Sequence, residues 1–159
     1  MLVGKKFTFD ASHKLPKHEG KCSRLNGHTY TLWIYLIGNP EPKTGMVMDY
    51  YKISEIVKSK IIDQLDHNYL NDTIEDPTAE RICFWIWNNL IQDLPNLFEV
   101  QVMETPDNVA KFRGMDDALT KKIEEAKEVQ KKLTEEIKDI ESGKSKASEV
   151  KEDVNNEGK

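Results

Sequence analysis

An α+β domain, in which an antiparallel sheet carries two helices on one face, is the fold class this sequence predicts. Three observations predict it. Apolar residues alternate with period two near the start of the chain and again around residue 100. Between these stretches lie two segments with helical apolar spacing. All of the aromatic residues fall before Arg113, which confines the core to roughly the first 113 residues.

The elements follow in order. Residues 2–11 alternate around Phe7, Phe9 and Ala11 and read as a strand. A loop with Pro16, Gly20 and Gly27 comes next. His28 to Ile37 is rich in Tyr, Trp, Ile, Leu and Thr and is apolar on both faces. It reads as a strand that is buried on both sides or sited at a subunit interface. Asn39, Pro40, Pro42 and Gly45 make a turn region. Ile53, Ile56, Val57, Ile61 and Leu65 predict a helix over about residues 50–65. Residues 66–76 read as a polar connection. Pro77 and Thr78 open a second helix, with Glu80 in the first turn where its charge suits the dipole. Ile82, Trp85, Ile86, Asn89 and Leu90 supply its apolar side, and Pro95 ends it. Phe98, Val100 and Val102 alternate in a third strand, and residues 108–112 form a short fourth. The order is ββααββ.

The chain divides near residue 114. Residues 116–159 hold 13 Asp or Glu and 10 Lys and no aromatic residue. Leu119, Ile123, Ala126, Gln130, Leu133, Ile137 and Ile140 nevertheless trace a heptad seam. Glu128 and Lys132 form an i,i+4 pair in the favoured order. Three regions are expected: a folded domain over 1–114, a charged helical extension over 115–142 ended by Gly143, and a disordered tail over 143–159. The extension lies on its own domain or an oligomer neighbour, or it is a coiled coil that binds a partner or associates with itself.

Composition excludes several classes. The net charge of -5 argues against nucleic-acid binding across the whole surface. No apolar run approaches the roughly 20 residues of a membrane span. The first ten residues lack the apolar core of a signal peptide, and two cysteines, Cys22 and Cys83, cannot build a disulfide scaffold. A cytoplasmic protein is expected.

Candidate chemistry clusters at one end of the sheet. His13 shares a strand face with Phe7, Phe9 and Ala11, and His28 begins the next strand. Antiparallel pairing of these strands would set the two imidazoles face to face. They are either a divalent-metal pair or two structural histidines. Glu104 continues the in-phase row Phe98, Val100, Val102, so it binds something or the strand turns out into water there. A carboxylate in that place suits a ligand with several N–H donors. Asp66 and His67 adjoin, and the acid could fix the imidazole's tautomer. Alternatively both are solvated loop residues. Cys22 lies between the two histidines, among Lys14, Lys17, His18, Lys21 and Arg24. A thiol near a metal and basic residues can act as a base. The basic residues either hold a polyphosphate or are simply solvated.

Together the motifs resemble one family. They read FDASHKLP from Phe9, KCSRLNGHTY from Lys21, GMVMDY from Gly45, LDHNYLN from Leu65, PTAE from Pro77 and MET from Met103. This is similar to the 6-pyruvoyl-tetrahydropterin synthase and 6-carboxy-tetrahydropterin synthase family, over about residues 7–113 in unbroken order. The resemblance implies the tunnelling fold, with ββααββ subunits in an oligomeric barrel, usually a hexamer of two trimers with active sites between subunits. It implies a pterin triphosphate substrate, 7,8-dihydroneopterin triphosphate, and zinc as cofactor. By motif, His13 and His28 are zinc ligands, Cys22 is the proton-abstracting base, and Asp66 with His67 is the acid–base pair. Glu104 anchors the pterin's guanidine-like edge, with Thr78 and Glu80 near the pocket. Lys21 and Arg24, in the basic loop, face the triphosphate.

The spacing C-x3-N-G-H resembles the carboxy branch, which forms 6-carboxy-5,6,7,8-tetrahydropterin, acetaldehyde and triphosphate for 7-deazaguanine (queuosine-type) synthesis. Its alternative is the 6-pyruvoyl-tetrahydropterin synthase activity. One departure matters. Asn26 stands where the family has the third zinc-binding histidine. Asn26 ligates weakly, or His18 steps in, or the chain binds pterin without turnover.

Overall fold

The computed structural model describes residues 1–114, 128–135 and 137–138. The four expected strands and two helical segments appear in the expected order, joined by one further strand of two residues. β1 (Leu2–His13) and β2 (Asn26–Ile37) form an antiparallel pair in which Phe9 faces Tyr30 and His13 faces Asn26. β2 starts two residues earlier than expected, and this brings Asn26 into the ladder. The first helical segment is α1 (Tyr50–Val57), a π-helical turn (Lys58–Ile62) and a short α2 (Asp63–Leu65). β3 (Asn68–Tyr69), α3 (Ala79–Leu90), β4 (Leu97–Thr105) and β5 (Asn108–Phe112) follow.

The sheet order is β3-β1-β2-β4-β5, and only the β1/β3 pairing is parallel. The helices cover one face. Ile53, Val57, Ile61 and Leu65 are all buried against it. Their strict four-residue spacing would drift around an α-helix by about 40° per step. The wider π turn takes up that drift and keeps all four side chains on the sheet. From α3 come Ile82, Cys83, Ile86 and Leu90. From the sheet come Phe9, Tyr30, Leu32, Ile34, Leu36, Val100 and Val102. Each fully buried aliphatic side chain contributes about 1.5–3 kcal/mol. Asp49 and Thr78 cap α1 and α3, accepting from the Tyr51 and Arg81 amides.

Among the described residues of Met1–Gly114, no helix lies over the opposite sheet face. Trp33 and Tyr35 stack there at 5.7 Å and are half-buried. Within Met1–Gly114 the second strand is therefore not buried on both sides. Tyr35 lies so close over Gly4 that a Cβ at residue 4 would sit 2.6 Å from its ring. Glu99, also on this face, is buried but paired, accepting from Arg113 Nε at 2.6 Å.

Three further expectations change. The connection over 66–76 is not simply polar: it contains β3, and Leu70 and Ile74 in it are buried. The sheet therefore has five strands. α3 ends at Leu90, well before Pro95, because the chain turns there to bury Leu94.

The chain separates into two compact units, Met1–Gly114 and Met115–Lys159. In the second, residues 128–135 and 137–138 are helical, and Val129, Leu133 and Ile137 are exposed. The other parts of the expected extension, and the expected disordered tail over 143–159, lie outside the described residues. Among the described residues, no helix is long and apolar enough to cross a membrane.

Candidate active site

The end of the β1/β2 ladder brings two imidazoles together. His13 and His28 sit diagonally across the pair on the helix-covered face, with ring centroids 5.1 Å apart. Two imidazoles on one tetrahedral ion, at about 2.0–2.1 Å from it, would have centroids about 5 Å apart. His13 is buried, and its Nδ1 lies 3.0 Å from the Pro77 carbonyl. A carbonyl only accepts, so Nδ1 carries the proton and the Nε2 lone pair is left for a ligand. The donor set thus fits a divalent ion held by two imidazoles.

Asn26 faces His13 directly across the ladder. Its amide nitrogen donates to the Arg24 carbonyl at 2.7 Å and, more weakly, to the Cys22 carbonyl at 3.5 Å. Both partners are acceptors, so the flip is decided and the amide oxygen is the atom left to serve as a third donor. His18 is engaged locally instead: its Nδ1 accepts from the Gly20 amide at 2.8 Å.

Cys22 lies in a single 3-10 turn (Lys21–Ser23) and is exposed, as are Lys21 and Arg24. Of the other basic residues in this loop, Lys17 is already paired with Asp76 at 2.6 Å.

Asp66 and His67 do touch. His67 has φ of 58°, a left-handed conformation uncommon for a residue with a side chain. This folds its ring back so that Nδ1 lies 2.9 Å from Asp66 Oδ1. The Asp10 backbone N–H also donates to Asp66 Oδ1, at 2.8 Å, and the Asp10 carbonyl accepts from the His67 amide at 2.6 Å. The Asp10 N–H first, and then the imidazole, hold the Asp66 carboxyl below the usual carboxylate range. The Asp10 carboxylate, bonded to Thr29 Oγ1, completes a cluster with Asp66 and His67 whose donor atoms lie within 4.8 Å of one another. Asp10 alternates with the inward-facing Phe9 and Ala11, so this cluster lies towards the open sheet face. A cleft of about 470 Å³ runs past it, lined by Asp10, Gly27, His28, Thr29 and His67.

Glu104, Thr78 and Glu80 share a second cleft of about 540 Å³ with Leu15 and Asp107. The Glu80 carboxylate accepts from its own N–H and from the Thr78 hydroxyl, and both hold its pKa below the usual range. Beside Glu104 lies Tyr30, fully buried, edge-on to both histidine rings and stacked on Phe9 at 4.9 Å. Burial, and then the charge of Glu104, push its phenol up. Sequence reasoning singled out neither Asp10 nor Tyr30. The signal for Tyr30 was its place two residues beyond His28, on the same face.

The sequence model of the family described as 6-pyruvoyl tetrahydropterin synthase matches residues 2–115. The chain belongs to the 6-pyruvoyl tetrahydropterin synthase family. Relatives carry both activities of this pterin synthase family. The chain is 38% identical to the 6-carboxy-5,6,7,8-tetrahydropterin synthase of Synechocystis sp., over 70% of this chain and 92% of that one. It is 32% identical to the human 6-pyruvoyl tetrahydrobiopterin synthase, over 70% and 90% respectively. The solved Caenorhabditis elegans 6-pyruvoyl tetrahydropterin synthase superposes with a TM-score of 0.67 at 25% identity, covering 72% of this chain and 96% of that one. The tunnelling fold expected for this family is the fold observed.

Proposed function

We propose that the chain is a lyase of the 6-carboxy-5,6,7,8-tetrahydropterin synthase type, converting 7,8-dihydroneopterin triphosphate to 6-carboxy-tetrahydropterin, acetaldehyde and triphosphate. The observation that carries this reading is the His13–His28 pair, 5.1 Å apart and oriented from Pro77, on the sheet face that also carries Glu104. The carboxy branch is supported by the Synechocystis relative and by the three residues between Cys22 and Asn26.

The proposed metal is zinc, held by His13 Nε2, a ring nitrogen of His28 and the amide oxygen of Asn26. When bound, zinc supplies Lewis-acid polarisation of the substrate's side-chain hydroxyls. The chain's own residues do the rest. Glu104 accepts from the N–H donors of the pterin's guanidine-like edge, and Thr78 and Glu80 shape the same cleft. Lys21 and Arg24, both exposed, meet the triphosphate charge. Cys22 takes a proton from a side-chain carbon. Ionised Asp66 keeps the proton on His67 Nδ1, so Nε2 is the atom that exchanges protons with substrate.

The Asp66–His67 pair is bonded to Asp10, which lies on the opposite face of β1 from His13. A homohexamer of two trimers would cover that face, with Trp33 and Tyr35 against a neighbour, and would bring one copy's acid–base pair to another's metal site. The product would supply 7-deazaguanine synthesis of the queuosine type in the cytoplasm. The boundaries 1–114, 115–142 and 143–159 leave catalysis to the first region.

The test is product analysis with zinc-supplemented full-length protein and 7,8-dihydroneopterin triphosphate. Acetaldehyde released in step with 6-carboxy-tetrahydropterin is the expected result. Formation of 6-pyruvoyl-tetrahydropterin without acetaldehyde reassigns the chain to the activity of the human relative. Pterin binding without either product makes it a non-catalytic binding homologue.

A further inference from the structure

Tyr30 holds the one buried side-chain nitrogen or oxygen among the described residues that has no hydrogen-bond partner, its hydroxyl. A buried donor without an acceptor destabilises the unliganded fold, so such a group calls for an explanation. Its surroundings narrow the choice. Phe9 stacks nearly parallel to the ring, with 9° between the planes, and holds it in place. The rings of His13 and His28 stand edge-on at 6.1 and 5.6 Å. His13 Nδ1 is committed to Pro77, and in the proposed function His13 Nε2 and one ring nitrogen of His28 are taken by the metal. On the other side, the β2/β4 ladder ends with Thr31 opposite Met103, and Tyr30 and Glu104 are the next residues of the two strands beyond that pair. The Glu104 charge is near enough to act on the Tyr30 phenol, and side chains of neighbouring strands at such positions can reach each other. The Glu104 carboxylate is the acceptor at hand, and it lines the cleft that Tyr30 does not itself reach.

We infer that Tyr30 is a positioning residue for Glu104: in the ligand-bound state its hydroxyl donates to one Glu104 oxygen while the other takes an N–H of the ligand. This rests on the reading that Glu104 anchors a pterin-type edge. A phenol held from behind would aim the carboxylate and offset the loss of its water on ligand binding.

The experiment is a fluorescence titration of full-length protein with neopterin, for the wild type, Tyr30→Phe, Glu104→Gln and the double variant, alongside unliganded melting temperatures. The inference expects Tyr30→Phe to melt at or above the wild-type temperature, since it removes only an unpaired hydroxyl. It expects neopterin binding about tenfold weaker, the scale of a hydrogen bond to a charged group. In turnover the loss falls on KM rather than on kcat. The double variant binds no worse than Glu104→Gln alone, because both act through one carboxylate. Wild-type-like binding by Tyr30→Phe overturns the inference, as does a lower unliganded melting temperature with kcat and KM affected alike. A wild type that binds no neopterin, even with zinc present, overturns the pterin reading itself and this inference with it.

Discussion

His13 Nδ1 donates to the Pro77 carbonyl across 3.0 Å, which ties the end of β1 to the residue preceding the Thr78 cap of α3. The ring that presents Nε2 to the proposed metal is therefore held by a helix start 64 residues away in sequence. A disturbance of that helix start should reach the metal site.

Thr78→Ala removes the acceptor for the Arg81 amide at 3.3 Å. The expected cost is about 1 kcal/mol of stability, read by urea unfolding. Zinc affinity, read by competition with a chromogenic chelator, should weaken with it, and Thr78→Ser should restore both. Unchanged affinity in a destabilised Thr78→Ala protein would separate the helix start from the metal site.

Cys22 is exposed and its side chain packs in no core. Cys22→Ser should leave stability within about 0.5 kcal/mol of the wild type. Turnover of 7,8-dihydroneopterin triphosphate should fall by roughly a hundredfold or more, the range for loss of a positioned base. Full activity in Cys22→Ser would remove the thiol from the mechanism.

Asp66 gives a pH signature. Its pKa is held down in the folded protein by the Asp10 N–H and by His67. A depressed carboxylate stabilises the fold above its unfolded pKa of about 4, and that contribution is lost as pH falls through the lower folded value. The melting temperature of the wild type should therefore exceed that of Asp66→Asn between about pH 5 and pH 7. The gap should close as the pH drops below about 4. A gap that widens on acidification would contradict the assignment.

Much of this was legible in the residues. The phase shared by Phe9, Ala11 and His13 on one strand, with antiparallel pairing to the strand that His28 begins, anticipated the meeting of the two imidazoles. The buried face of the second strand was not legible, because both of its faces carry apolar residues. Tight capping chemistry marked the start of α3 at Thr78. What stayed hidden depends on geometry without a periodic signal. The two residues of β3 are too few to show alternation, and their parallel pairing with β1 is non-local. Contact between Asp66 and His67 requires the left-handed backbone at His67, which no glycine announces. The contribution of Asp10 comes from its backbone N–H and carbonyl, which every residue but proline has. Tyr30 reads as an ordinary core aromatic until its hydroxyl is found without a partner.

Asn26 clamps the Cys22 turn through its amide nitrogen, and its oxygen is the proposed third donor to the metal. Asn26→His should tighten zinc by roughly tenfold or more, because imidazole is the better zinc ligand. It should also release the Arg24 carbonyl, so Cys22 should be alkylated faster by iodoacetamide. Weaker zinc binding in Asn26→His would show that the amide, and not an imidazole, is what this site is shaped to use.

Metal content is the most direct test of the central claim that His13 and His28 form a metal site. Full-length protein, purified without chelator and incubated with zinc, is desalted and measured by mass spectrometry. About one zinc per chain is expected for the wild type. The content should fall to a small fraction of that in His13→Gln and in His28→Gln. Zinc-free wild-type protein, or zinc retained undiminished by both variants, would contradict the account.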